Sequence, residues 1–204
     1  MSRRLAALVD RLEKAGIRLK HVDVGGGIGI RYRDGAQQPI GTFVAGTLAA
    51  LSKRTQKVVF DPGRSLVGNA GLLLARIEHV KPGAARNFVI VDAAMNDLIR
   101  PALYSAWHEV RPVREAESAD ATAVYDVVGP VCESGDFLAK ERRLAPREGD
   151  LLALMSAGAY GMTMSSNYNS RPRPAEVLVS GTRADLVRSR KTIEQLFALE
   201  RIPG

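Results

Sequence analysis

Residues 18–29 read RLKHVDVGGGIG, and the fold of the N-terminal part of this 204-residue chain turns on them. Arg18 to Val24 has the make-up of a strand and runs directly into Gly25-Gly26-Gly27. Glycines at a strand end let the backbone approach an anion, and N–H groups there can cradle phosphate. Upstream, Leu5, Leu8, Val9 and Leu12 recur at helical spacing over residues 3–15, with Gly16 as the stop. Downstream, residues 42–52 form a second helix with Phe43, Val44, Leu48 and Leu51 on its apolar side. Lys57 to Phe60 is then a short strand closed by Asp61-Pro62-Gly63. Helix, strand, helix, strand is the order of parallel α/β units.

The pattern changes near Ser65. Short strands are expected over residues 72–80, 87–91, 108–112, 123–128, 150–155 and 175–179, with turn residues between them. That spacing predicts an antiparallel β domain or barrel. Residues 182–199 read as a closing helix, with Leu186, Ile193, Leu196 and Phe197 on its apolar side. The fold class is therefore α/β plus all-β, with the boundary between residues 1–66 and 67–204. Two strands and two helices cannot close a (β/α)8 barrel, which needs eight strands. Barrel-facing residues would then stand open. Val22, Val24, Val58, Val59 and Phe60 on the strands, and Phe43 and Leu51 on the helix, are the ones expected to be exposed.

Composition narrows the function classes. Hydrophobic residues make up 46% and charged residues 25%, the balance of a water-soluble globular protein. No apolar run approaches the ~18 residues of a membrane span. Cys132 is the single cysteine, which excludes an internal disulfide and a cysteine zinc cluster, and a cytoplasmic address follows. The net charge is +7, but the basic residues are scattered and aromatics are only 5%, so nucleic acid is not the expected partner. Lys140 to Arg143 and Arg188 to Lys191 read as solvated faces.

Five stretches carry possible chemistry, each with a plainer reading beside it. Gly25 to Gly27 is an anion cradle or a tight βα turn; it lacks the spacing of the dinucleotide fingerprint. Asp61-Pro62-Gly63-Arg64 offers a carboxylate and a five-donor guanidinium at a strand end, or a turn with a surface ion pair. Cys132-Glu133-Ser134-Gly135-Asp136 offers a thiol that can donate a proton or act as an activated thiolate, or a small buried hydrophobe. Arg100 and Tyr104, four apart, share a helical face and can grip one carboxylate, or form a surface pair. Tyr160 lies in a polar stretch, residues 157–169, that suits a polar ligand or is an ordinary loop. His21, His79 and His108 fit no short zinc spacing.

Taken in order, HVDVGGGIGI, DPGRSLVGNAG, DAAMNDLIRPALY, GPVCESGD and AGAYGMTMSSNYNSRPRPAEVLV resemble the C-terminal half of the diaminopimelate decarboxylases. The likeness runs from about residue 3 to residue 200. CESGD is shared with other fold-type III decarboxylases that use pyridoxal 5'-phosphate (PLP), whereas MNDLIRPALY and SNYNSRPRPAEVLV are far more specific to the diaminopimelate branch.

The resemblance implies the last strands and helices of a (β/α)8 barrel, followed by an antiparallel β-barrel-like domain with a C-terminal helix. It implies that Gly25, Gly26, Gly27 and Gly63 bind PLP, and that Asp61 faces the pyridine nitrogen where the family usually has glutamate. Arg64, Arg100 and Tyr104 would bind the distal carboxylate of diaminopimelate, and Glu133 its distal amino group. Cys132 and Glu133 would act across a homodimer interface, and Tyr160 would lie near phosphate and substrate. The implied reaction is decarboxylation of meso-2,6-diaminopimelate to L-lysine. The lysine that anchors the cofactor covalently is expected to lie outside these residues; Lys20, Lys53 and Lys57 do not match its motif. Two alternatives stand: a non-catalytic interaction module derived from the decarboxylase, and another fold-type III basic amino-acid decarboxylase. A carboxylate grip argues against the latter.

Overall fold

The computed structural model describes residues 2–32, 39–52, 54–114 and 122–204, so Lys53 lies outside the described residues. The chain divides into two compact units, Met1–Ala70 and Gly71–Gly204.

In the first unit, α1 (Ser2–Lys14), β1 (His21–Asp23), α2 (Ile40–Leu51) and β2 (Lys57–Val59) follow the expected order, and β1 pairs with β2 in parallel. The α1 helix stops where Gly16 takes a φ of +81° and Ile17 N–H reaches back to the Leu12 carbonyl, the cap that glycine favours. Val9 of α1 packs with Val22, Val24 and Leu51 in one buried cluster, joined by Leu5, Leu19, Val58 and Phe60. The exposed-face expectation is thus corrected. Val22, Val24 and Leu51 are buried, and Val58, Val59, Phe60 and Phe43 are half-buried. The cause is α1, which folds back over the strand pair, while β1 alternates so that polar His21 and Asp23 take the open face. Phe43 meets Phe60 edge-on at 6.2 Å between ring centroids. A short α3 (Gly63–Val67) follows β2.

The second unit is built on a six-stranded sheet in the order β5-β8-β3-β4-β6-β7. Its strands are β3 (Leu73–Lys81), β4 (Asn87–Val91), β5 (Val110–Pro112), β6 (Ala123–Val128), β7 (Phe137–Leu144) and β8 (Leu151–Leu154), with α4 (Arg100–Tyr104) between β4 and β5. The sheet is mixed rather than antiparallel, because β4 and β6 pair in parallel. A parallel pair needs a crossover, and the segment holding α4 and β5 supplies it. The edges curl toward each other. Arg142 Nη2 on β7 donates to the His108 carbonyl just before β5 at 3.1 Å, which makes a nearly closed barrel. Inside lie Ile77, Val89, Val91, Leu98, Val127, Leu138, Leu152 and Leu154.

Two further expectations fail in this unit. Residues 182–199 are not one helix: β9 (Glu176–Ser180) and β10 (Arg183–Arg188) form an antiparallel hairpin, and only α5 (Glu194–Phe197) is helical. Gly181, at φ +59°, makes the tight turn that ends any helix there. Lys140 to Arg143 is not simply a solvated face, since it belongs to β7 and Arg142 is buried. Its guanidinium stacks on Trp107, 3.1 Å from the ring centroid. Among the described residues no helix is long and apolar enough to cross a membrane.

Candidate active site

In the first unit both strands end in site candidates. Gly25 and Gly27 have φ of +72° and +62°, where other residues are strained. Gly26 is needed for space, since a Cβ there would stand 2.6 Å from the Asp61 carbonyl oxygen. The Gly25 N–H is held by Asp23 Oδ1 at 2.8 Å. Among the described residues, no acceptor meets the Gly26 or Gly27 N–H. The Asp61 carboxylate flanks the same loop, with Oδ1 3.6 Å from where a Gly25 Cβ would stand. Gly63 donates to the Asp61 carbonyl at 2.7 Å and opens α3, which carries the half-buried Arg64.

In the second unit, Arg100 begins α4 and is 8% exposed, so the surface-pair reading does not hold for it. Its guanidinium carbon lies 5.8 Å from the Tyr104 ring centroid and 5.5 Å from that of Tyr160. Stacking against aromatic faces fixes the plane of the fork. Tyr160 has a φ of +60° and is 43% exposed.

Cys132 and Glu133 are exposed, which corrects the reading of Cys132 as a buried hydrophobe. Their loop is held by Asp136, which is buried. Asp136 Oδ2 accepts the Val131 N–H at 2.8 Å and Oδ1 accepts the Met95 N–H at 2.7 Å. Burial raises the Asp136 carboxyl above its usual range, against the pull of these two amides. Gly129 is the glycine this clamp requires, because a Cβ there would lie 2.4 Å from Asp136 Oδ2.

The loop held through Met95 continues to Asn96 and Asp97, both buried. Asp97 accepts from the Ala94 N–H and from Asn96 Nδ2, each at 2.9 Å. Desolvation raises its carboxyl too. Arg171 closes the network from the third stretch: Nε donates to Asn96 Oδ1 at 2.9 Å and Nη2 to the Asp92 carbonyl at 2.5 Å. Three sequence stretches, 92–97, 131–136 and 166–171, are thus wired into one polar cluster.

Asn96, Asp97, Asp136, Tyr168 and Arg171 were not among the sequence candidates. All five lie inside motifs quoted above, but nothing in their spacing separates a clamp from a ligand-binding group.

The chain belongs to the pyridoxal-dependent decarboxylases: their C-terminal sheet domain matches residues 9–158. Among curated relatives, diaminopimelate decarboxylase of Pseudomonas aeruginosa is 55% identical over 197 residues, which is 97% of this chain and 47% of that protein. The crystal structure of diaminopimelate decarboxylase from M. jannaschi matches with a TM-score of 0.90 at 34% identity, over 99% of this chain and 48% of that one. The Helicobacter pylori diaminopimelate decarboxylase complexed with L-lysine matches with a TM-score of 0.87 at 38% identity, over 97% and 49%. The chain spans about half the length of the curated relatives it matches.

Proposed function

We propose that this chain is the C-terminal portion of a PLP-dependent diaminopimelate decarboxylase, which converts meso-2,6-diaminopimelate to L-lysine and carbon dioxide. The observation that carries the reading is the single polar cluster of residues 92–97, 131–136 and 166–171. Two of those stretches resemble the diaminopimelate branch, and the third carries the CESGD motif. In this reading residues 1–66 complete a (β/α)8 barrel and residues 67–204 form the C-terminal β domain.

The residues present fit the cofactor. The phosphate would be held by the Gly26 and Gly27 amides, in a cradle that a Cβ at Gly26 would fill, with Gly25 and Gly63 shaping the loops beside it. Asp61 would face the pyridine nitrogen, where its carboxylate would favour the protonated ring. When bound, PLP supplies an electron sink for the pair left by departing carbon dioxide.

The chain's own groups do the rest. In the second unit Arg100 and Tyr104 grip the distal carboxylate, and Tyr160 flanks the guanidinium of Arg100. Arg64 of the first unit is a further carboxylate-binding candidate. Glu133 binds the distal ammonium. Cys132 Sγ returns a proton to the substrate carbon.

A homodimer with shared sites agrees with two features of the second unit, and a cytoplasmic address remains part of the proposal. Cys132 and Glu133 are exposed, as groups that reach into a partner's site must be. The β9–β10 hairpin exposes Val177, Leu178, Val179, Leu186 and Val187 by 55–67%, an apolar area that a second subunit could cover.

The test joins this chain to the N-terminal half of the Pseudomonas aeruginosa relative. Lysine formation from meso-diaminopimelate with added PLP is expected from the joined protein and from neither part alone. A folded, PLP-loaded joined protein that forms no lysine overturns the reading.

A further inference from the structure

Glu133 is exposed on a loop, yet its carboxylate is not left to swing. Oε1 accepts the Gly135 N–H at 3.2 Å, and Oε2 accepts the Tyr168 hydroxyl at 3.2 Å. A carboxylate has about four lone-pair sites. Two are taken here, and the remaining pair faces a defined direction.

Tyr168 is itself anchored, although 49% exposed. Its N–H donates to Ser166 Oγ at 3.2 Å, and the Ser166 N–H donates to the Asn96 carbonyl at 2.9 Å. Asn167 donates from Nδ2 to the Arg171 carbonyl and accepts Lys191 Nζ at Oδ1, each at 2.8 Å. Arg171 returns to Asn96 through Nε. A continuous chain of hydrogen bonds therefore links Lys191, near the C-terminus, to the Tyr168 loop and so to Glu133. The phenol is a donor at neutral pH, and the bond to Glu133 and its charge push the hydroxyl further above its usual range.

We propose that Tyr168 is a positioning residue: it sets the direction from which the Glu133 carboxylate meets the primary ammonium of the substrate. The proposal rests on the assignment of Glu133 given above. Its physical content is a hydrogen bond from a fixed donor to one oxygen, which leaves the opposite lone pairs for a three-donor ammonium.

The experiment is a mutant cycle in the joined enzyme, with Tyr168→Phe, Glu133→Gln and the double variant. The readouts are KM and kcat for meso-diaminopimelate, and the Kd of product L-lysine. Tyr168→Phe is expected to raise KM and the lysine Kd by roughly three- to tenfold, the range for one partly solvated hydrogen bond. In the Glu133→Gln background the same change is expected to add less than about twofold. An unchanged KM in Tyr168→Phe, with a raised KM in Glu133→Gln, overturns the Tyr168 role and leaves Glu133 in place. An equal penalty in both backgrounds makes Tyr168 merely structural. If Glu133→Gln itself leaves KM unchanged, the amine-binding assignment fails and the proposal falls with it.

Discussion

Asp136 Oδ1 accepts the Met95 N–H at 2.7 Å across 41 residues of sequence. The other oxygen of the same carboxylate holds Val131, so one buried side chain fixes the 131–136 loop and ties it to the segment that leads into α4. Glu133 and Arg100, the candidate amine and carboxylate binders of this unit, therefore hang from one scaffold. Replacing Asp136 by Ala leaves two amides without their acceptor. Where such groups stay buried the loss is about 1–3 kcal/mol each. The urea midpoint of unfolding is expected to fall accordingly, and an unchanged midpoint removes Asp136 as a clamp.

The clamp also predicts a contrast between two neighbouring glycines. A Cβ at Gly129 would meet Asp136 Oδ2 at 2.4 Å and the Ala93 carbonyl oxygen at 2.7 Å, whereas at Gly135 the nearest atom is Glu133 Oε1 at 3.8 Å. Gly129→Ala should cost about 1–3 kcal/mol or more by overpacking, and Gly135→Ala well under ~1 kcal/mol. Thermal unfolding of the two variants checks this, and equal midpoints would show that the Gly129 contact is relieved without cost.

A second contrast tests the glycine loop of the first unit. Gly26→Ala places a Cβ 2.6 Å from the Asp61 carbonyl oxygen and 3.2 Å from Pro62 Cα, both on backbone that cannot swing aside. Gly29→Ala meets nothing within 4 Å. In the joined enzyme Gly26→Ala is expected to weaken PLP binding at least about tenfold, since a shift of even one ångström misplaces a positioned group. Gly29→Ala should leave it near the parent value. Titration of PLP by absorbance gives both, and equal affinities would place the phosphate elsewhere.

The ease of reading differed between elements for physical reasons. The strands over 87–91 and 123–128 were legible to the residue because their apolar content is bounded by turn residues. β7 carries no strand signal in the sequence because its register slips: Tyr125 pairs with Arg142 while Val127 pairs with Ala139. Glu141 takes a φ of +57° at this bulge, and Lys140 and Glu141 are exposed in succession, so the alternation is lost. The helical spacing of Leu186, Ile193, Leu196 and Phe197 predicts a helix across β10, because one-dimensional periodicity does not weigh the turn at Gly181. In the site, motif residues such as Arg100 and Glu133 could be named, but burial and partners could not. Asp136 and Arg171 show the difference, because a clamp is defined by what it touches.

Arg100 carries a prediction about binding rather than folding. It is almost fully buried, with Tyr104 and Tyr160 within 6 Å of its guanidinium carbon. Truncating one partner of a buried charge pair costs on the order of 2–5 kcal/mol. In the joined enzyme, Arg100→Ala should lower kcat/KM for meso-diaminopimelate by a corresponding factor. Arg100→Lys should recover only part of it, because lysine lacks the planar fork that stacks and pairs in two places. Unchanged kinetics in the alanine variant would remove Arg100 from the site.

His108 makes stability depend on pH. Its side chain is 0% exposed, and its Nδ1 lies 2.9 Å from the Met155 carbonyl oxygen, so Nδ1 carries the proton. Burial lowers its affinity for a second proton, and the charges of Arg100 and Arg142 lower it further. The folded chain therefore holds His108 neutral at a pH where the unfolded chain, with an ordinary value of 6.5, takes up a proton. Between the two values the unfolded state binds more protons, so stability falls as pH drops below ~6.5. The slope from this one group is at most about 1.4 kcal/mol per pH unit. Asn at position 108 can still donate to the Met155 carbonyl but does not titrate. His108→Asn is expected to flatten the fall in urea midpoint between about pH 7 and pH 5, whatever its effect at pH 7. A parallel decline in parent and variant would mean that His108 is protonated in the folded state as readily as in the unfolded one.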